Sequence, residues 1–216
     1  MSEVCATSHH LFNQLEHFKF PFELNKIPRN GLYILFEAGE NSHDVKRVVR
    51  VGTHTGDNQL RSRLQQHFIK ENKDRSIFRK NIGRAILNRS RDPFLEQWNW
   101  DLTTREAKNT YSHLVDWCKQ KEVEKQVTAY IQGHFSFVIF EVREKAKRLS
   151  IESKIISTVS RCDVCRPSAK WLGLHSPKSK ISQSGLWLVN ELHKEPLSEI
   201  DLAELKNLVQ KVGYGE

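Results

Sequence analysis

Two short apolar runs stand out along the chain, GLYILFEA at 31–38 and VKRVVRVG at 45–52. Both are rich in branched and aromatic residues, which suit a pleated, half-buried surface. The polar connection GENSHD between them is short enough for an antiparallel hairpin, though longer than the tight two-residue kind. A third run, HFSFVIFEV at 134–142, is apolar on both faces, as a central strand covered from both sides would be. Helical spacing takes over elsewhere. Leu11, Leu15 and Phe18 predict a short helix over 8–18, and Leu60, Leu64 and Phe68 one from about Asn58 to Phe68, with Asp57 or Asn58 as its N-cap. A further helix runs from Arg143 or Arg148 to Val159. A C-terminal one starts near Ser198, with Leu202, Leu205, Val209 and Val212 facing the core and Gly213 ending it.

Between the second and third strands lies a long, different stretch. Residues 69–92 are very basic, yet Ile77, Phe78, Ile82, Ile86 and Leu87 give them a helical apolar side. Residues 93–132 carry Trp98, Trp100, Tyr111 and Trp117 among alternating charges and read as helices and loops. Pro21 and Pro28 break an extended arm before the first strand. The expected organisation is a single α/β (α+β) domain. It comprises an arm at 1–30, a core at 31–68 and 133–160, a helical insertion at 69–132 and an extension at 161–216.

Composition narrows the partners. Of 216 residues, 38% are hydrophobic, with 11 Phe and 5 Trp, enough for a packed core. The net charge is +8, which favours an anionic partner, most simply nucleic acid. No stretch approaches the roughly 18 apolar residues of a membrane span. The N-terminus lacks the basic start and apolar run of a signal peptide, so a cytoplasmic location is expected. Four cysteines do not make a disulfide framework.

Three groups of residues suggest chemistry. Glu152 shares a helical stripe with Leu149, Ile156 and Val159. A carboxylate there needs a cation or a divalent metal to be buried, unless it sits at the stripe's edge and reaches solvent. Arg63 and His67 are neighbours at i and i+4. Arg offers a planar fork that matches phosphate oxygens, and His can donate a hydrogen bond or move a proton. Tyr33 lies inside a strand, where ordinary packing also explains a tyrosine.

The order of these residues says more than any one of them. GLY at 31–33, RVG at 50–52, LRSRLQQHF at 60–68 and IESKII at 151–156 together resemble the GIY-YIG nuclease family, over a compatible core at about 31–160. The resemblance implies a small three-stranded antiparallel sheet flanked by helices and a metal-dependent DNA endonuclease. By that resemblance Tyr33 positions or deprotonates the attacking water, and Arg63 holds the phosphate. Glu152 ligates one divalent ion, Mg²⁺ or Mn²⁺, and His67 assists Tyr33 or contacts phosphate. Double-stranded DNA is the implied substrate, and two strand cuts would suit a homodimer. Length and insertion resemble the restriction-type branch. One position departs from the family: the second motif normally begins with Tyr, and here it begins with Arg50. Arg50 either contacts phosphate or marks an altered site, which keeps a non-catalytic DNA-binding scaffold as the alternative. Asn190, after SGLW, is the candidate for the family's late Asn.

The basic stretch at 70–91 is the expected DNA surface, with Arg79, Lys80 and Arg84 among its cations; a solvated amphipathic helix explains it equally well. Cys162-x-x-Cys165 is half of a zinc motif with His175 near and Cys5 and Cys118 far in sequence, and it reads as two reduced, incidental cysteines. WLGLHSPKSK is either a DNA-contacting loop or a surface connection.

Overall fold

The structure is a computed structural model that describes residues 2–210. Val212 and Gly213, expected at the end of the last helix, lie outside the described residues. The chain runs α1 (Ser2–Asn13), β1 (Phe18–Lys19), β2 (Gly31–Ser42), β3 (Val45–Gly52), α2 (Leu60–Phe68) and α3 (Ile77–Ser90). It continues through α4 (Leu95–Asn99), α5 (Arg105–Tyr111), α6 (Trp117–His134), β4 (Phe135–Glu141), α7 (Lys145–Ser160), α8 (Ser179–Ser184) and α9 (Glu199–Gln210). The strands form one antiparallel sheet in the order β1-β4-β2-β3. It has four strands rather than three, because the two-residue β1 adds to the free edge of β4 through Phe18 and Lys19.

Period-two alternation divides the core. Leu32, Ile34 and Phe36 of β2, with Val138 and Phe140 of β4, pack under α1, α7 and α9. Tyr33 and Leu35 of β2, with Phe135, Phe137 and Ile139 of β4, face α2, α3 and α6 on the other side. The expectation of a strand covered on both faces is met by β4. The inserted helices supply Phe78, Ile82, Trp98, Val127 and Ile131 to that second cluster, so they complete the core beneath α2.

Four local features differ from the sequence reading. The first helix spans Ser2–Asn13 rather than 8–18, and Phe18, expected on its apolar side, lies in β1 instead. The hairpin turn is the tight two-residue kind after all, because β2 runs on to Ser42. His43 (φ 51°) and Asp44 (φ 62°) both take the left-handed conformation such a turn requires. Neither Asp57 nor Asn58 caps α2; Gln59 precedes it without a side-chain bond. Asn58 instead fastens the turn to the start of β2, its N–H donating to Asn30 Oδ1 at 2.8 Å. Finally, Leu35 pairs with Arg50 while Phe36 pairs with Val48, which leaves Val49 as an extra residue in β3. This bulge puts Val49 into the cluster under α2 and α3 and brings the Arg50 guanidinium 5.2 Å from the Phe78 ring on the same side.

The basic insertion folds inward. Arg79 is fully buried, with Nε and Nη2 on Glu124 Oε2 at 3.1 and 2.7 Å. Lys73 and Lys80 converge on Asp74 Oδ1 at 2.9 and 3.2 Å and on the Trp100 carbonyl. Arg84 donates to Asn99 and Asn81, each at 2.7 Å. Arg79, Lys80 and Arg84 therefore hold helices together and are not presented as a nucleic-acid surface. Their charges are answered inside the protein because a guanidinium or ammonium that leaves water must be paired. Lys70, Arg75, Arg89 and Arg91 are the cations of this stretch that stay exposed.

Removing one partner of a buried pair strands the other. Glu124→Ala should cost about 3–5 kcal/mol, read by urea denaturation. A loss below about 1 kcal/mol would mean that the pair is solvated and worth little.

Candidate active site

The strand ends Gly31 and Gly52 define one end of the sheet, and the candidate residues gather there from both faces. Tyr33 pairs across the sheet with Gly52. Its phenol lies over that glycine so closely that a Cβ on Gly52 would sit 2.2 Å from the hydroxyl. The hydroxyl meets His67 Nε2 at 2.8 Å, and His67 Nδ1 meets Ser76 Oγ at 2.7 Å. Ser76 is held in turn as the N-cap of α3, accepting from the Arg79 N–H. The chain Tyr33–His67–Ser76 is buried throughout, with His67 fully inside. Burial, reinforced by the cations Arg50, Arg63 and Arg79, holds the imidazole well below its ordinary pKa. His67 is therefore neutral at physiological pH, with both ring nitrogens hydrogen-bonded, one to the phenol and one to Ser76.

Glu152 arrives from the opposite face, on α7. Ile151, Ile155, Ile156 and Val159 of that helix are buried, whereas Leu149 is exposed and Glu152 half-buried. The carboxylate thus sits at the edge of the apolar stripe, not in its middle. Glu152 Oε1 accepts from the N–H of Thr53 at 3.1 Å. Thr53 directly follows Gly52, so one residue of backbone separates the glycine under the Tyr33 hydroxyl from the N–H that holds Glu152. Burial pushes the Glu152 carboxyl up, and the Arg50 charge and the Thr53 N–H pull it partly back.

A cavity of about 600 Å³ opens between these elements. Thr53, His54, Arg63, Gln66, Arg75 and Glu152 are among its walls. Arg63 Nη1 is fixed by Gln66 Oε1 at 3.2 Å and the Arg75 carbonyl at 3.3 Å. Its cation therefore stands beside the cavity without a carboxylate partner among the described residues, ready for an anion. His54 is pinned by backbone on both sides, with Gly56 O at 2.6 Å from Nδ1 and the Gly31 N–H at 3.3 Å from Nε2. Burial lowers its pKa, so it is a neutral wall of the site.

A phosphate-matched guanidinium and a half-buried carboxylate share one cavity, and a buried phenol on a neutral imidazole stands behind its Thr53 and α2 walls. A family model described as a GIY-YIG domain matches residues 8–214. The chain belongs to the GIY-YIG family. It is therefore an endonuclease that hydrolyses phosphodiester bonds, with DNA as its substrate class. GIY-YIG nucleases generally depend on a divalent metal. No curated protein and no solved structure matches the chain. No helix among the described residues is long and apolar enough to cross a membrane.

Tyr33, Arg63, His67 and Glu152 are thus brought together, and Arg50 lies behind them. Arg50 is buried, donates through Nη1 to the Trp187 carbonyl, and leaves Nε without a partner among the described residues. Its charge reaches both His67 and Glu152. Asn190 is exposed in a separate groove, beside Glu191, which accepts from Ser153 Oγ at 2.6 Å. Arg75, on the cavity wall, lies in the basic stretch already expected to meet DNA, whereas Ser76, Thr53 and His54 were missed by sequence reasoning. The THT that follows RVG was a legible cue for the last two; Ser76 lies nine residues beyond His67 and carries no local signal.

The glycine beneath Tyr33 generates one expectation. Gly52→Ala should cost about 1–3 kcal/mol by overpacking and displace the phenol from His67; unchanged stability and cleavage would show that the pair adjusts freely. Glu152 generates another. Its folded carboxyl is raised, so the metal-free protein loses stability as pH climbs from the unfolded carboxyl's pKa to the folded one's. Glu152→Gln should therefore melt higher than wild type in chelator at neutral pH, with the gap closing in acid. An equal or lower melting temperature would mean that the carboxylate is fully compensated.

Proposed function

We propose that this GIY-YIG protein is a metal-dependent endonuclease of double-stranded DNA, of the sequence-specific restriction type, acting in the cytoplasm as a homodimer that cuts both strands. The observation that carries the catalytic part is the Tyr33 hydroxyl, 2.8 Å from a neutral His67 and one residue away from the N–H that fixes Glu152.

Glu152 fits a hard divalent cation. It offers oxygen, faces a cavity, is raised by desolvation, and forms no ion pair among the described residues. Mg²⁺ or Mn²⁺ suits such a donor, with water completing the shell. When bound, the ion supplies Lewis-acid stabilisation beside the scissile phosphate.

The chain's own residues do the rest. Neutral His67 accepts a hydrogen bond from the Tyr33 hydroxyl at Nε2, which fixes the phenolic oxygen that orients the attacking water. Ser76 and the Arg79 side chain, which donates to the His67 carbonyl at 3.2 Å, keep the imidazole in register. Arg63 holds the phosphate and meets charge as it develops. Arg75, exposed at the cavity wall, extends the cationic track for the backbone.

Cleavage of plasmid and genomic DNA, with and without Mg²⁺ or Mn²⁺, tests this. Wild type should cut and stop on chelation. Glu152→Ala should be inactive, and Tyr33→Phe should lose about 10²–10⁴-fold. Discrete fragments support sequence specificity, and a smear would remove it. Metal-dependent cutting by Glu152→Ala would overturn the role given to Glu152. DNA binding without cleavage by wild type would return the weight to a binding scaffold.

A further inference from the structure

At the opposite end of the hairpin from the catalytic cavity, four segments distant in sequence converge on a cluster of soft donors. Cys5 comes from α1, His43 from the β2–β3 turn, and Cys162 and Cys165 from the loop after α7. Cys5 Sγ lies 3.6 Å from Cys165 Sγ. His43 Nε2 lies 3.4 Å from Cys162 Sγ and 3.5 Å from Cys165 Sγ. His9 joins them, and the ligating atoms of Cys5, His9, His43 and Cys165 all fall within 4.8 Å of one another.

We propose that Cys5, His43, Cys162 and Cys165 bind one structural zinc ion. The three separations above, 3.6, 3.4 and 3.5 Å, are close to a tetrahedron's edges. Zinc bonds of about 2.3 Å to sulfur and about 2.0–2.1 Å to nitrogen set S···S and S···N edges of about 3.8 and 3.6 Å. A Cys₃His set with no open position is a structural donor set, and thiolate selects zinc over the hard ions that suit Glu152. The sulfurs of Cys5 and Cys165 are not a disulfide, which needs about 2.05 Å.

The surroundings fit the same role. Cys165 N–H turns back onto the Cys162 carbonyl at 3.1 Å, which folds the Cys-x-x-Cys segment so that both thiols face inward. Ser42 Oγ is 3.3 Å from Cys165 Sγ, a donor to a thiolate. His43 sits at a left-handed position of the turn, a conformation that histidine adopts more readily than most residues with a side chain. His9 forms the wall and is not the fourth ligand. Its Nδ1 faces the Cys5 carbonyl at 2.9 Å and its Nε2 accepts the Val48 N–H at 3.2 Å. Val48 is fully buried on the edge strand β3, and withdrawing His9 would orphan that N–H. The ion would staple α1, the hairpin tip and the loop beyond α7, contacts that the apolar cluster alone makes through short segments.

Elemental analysis of the full chain, purified without chelator, should find about one zinc per chain. Cys165→Ser and Cys162→Ser should each lose it, while Cys118→Ser, an exposed cysteine outside the cluster, and Glu152→Ala should keep it. Should the cysteine variants not fold, cobalt substitution of the wild type should give the visible bands of a tetrahedral thiolate site, and stripping zinc should lower the wild-type melting temperature. Zinc-free protein that binds none on titration would overturn the proposal. So would stoichiometric iron or copper in its place, or retention of zinc by Cys162→Ser.

Discussion

The catalytic end of this fold depends on a missing side chain. Tyr33 can reach His67 only because its cross-strand partner is Gly52, over whose Cα the phenol lies. Any Cβ there would contest the space, and the hydroxyl would lose the imidazole. The same glycine ends β3, so the chain turns at once into Thr53, whose N–H then points at Glu152. One small residue therefore sets the distance between the phenol–imidazole half of the candidate site, on the α2 side of the sheet, and the carboxylate half, on the α7 side. The sheet acts as a spacer, and the chemistry sits at its rim.

Buried polar groups hold the elements that carry this rim. Glu37 lies almost fully inside and accepts from the indole N–H groups of Trp171 and Trp187, each at 2.8 Å, and from the Tyr130 hydroxyl. It thereby ties β2 to α6 and to the segment beyond α7. Arg47 binds Glu40 and the Gly185 carbonyl, clasping the same late segment to β3. Arg79 and Glu124 join α3 to α6 directly beneath His67. Such pairs contribute little net energy once desolvation is counted, but each is costly to mispair, so they favour one arrangement over its neighbours. A basic composition can thus describe an interior as well as a surface.

The legibility of the sequence follows from this division. Strands β3 and β4 and helix α2 were readable to within a residue or two because β3 and β4 are short runs rich in branched and aromatic residues and α2 keeps Leu60, Leu64 and Phe68 at helical spacing. The ordered motifs at 31–33, 50–52, 60–68 and 151–156 gathered Tyr33, Arg63, His67 and Glu152 at one end of the sheet, with Arg63 and Glu152 on the cavity and Tyr33 and His67 buried behind it. Inference from charge failed, and separation along the chain hid a cluster. The run at 70–91 read as a solvent face because apolar spacing does not reveal that Arg79 has a carboxylate waiting 45 residues later. Cys162 and Cys165 read as incidental because Cys5 lies 160 residues from Cys165 and meets it only through the packing of α1.

Arg50 shows how the family's pattern can change without dissolving the site. A tyrosine there would offer a neutral hydroxyl; the arginine brings a fixed charge. The bulge at Val49 turns Arg50 onto the Phe78 face, where the Trp187 carbonyl anchors one end of the guanidinium. From that position its charge acts in two directions. It depresses the imidazole, keeping His67 neutral, and it favours ionised Glu152 against the penalty of burial. Both effects move the site toward one protonation state, imidazole neutral and carboxylate charged, which the proposed hydrolysis requires. Arg50 is too buried to clamp a phosphate from solvent. Arg50 therefore acts as an electrostatic bias set behind the proposed catalytic groups rather than as one of them.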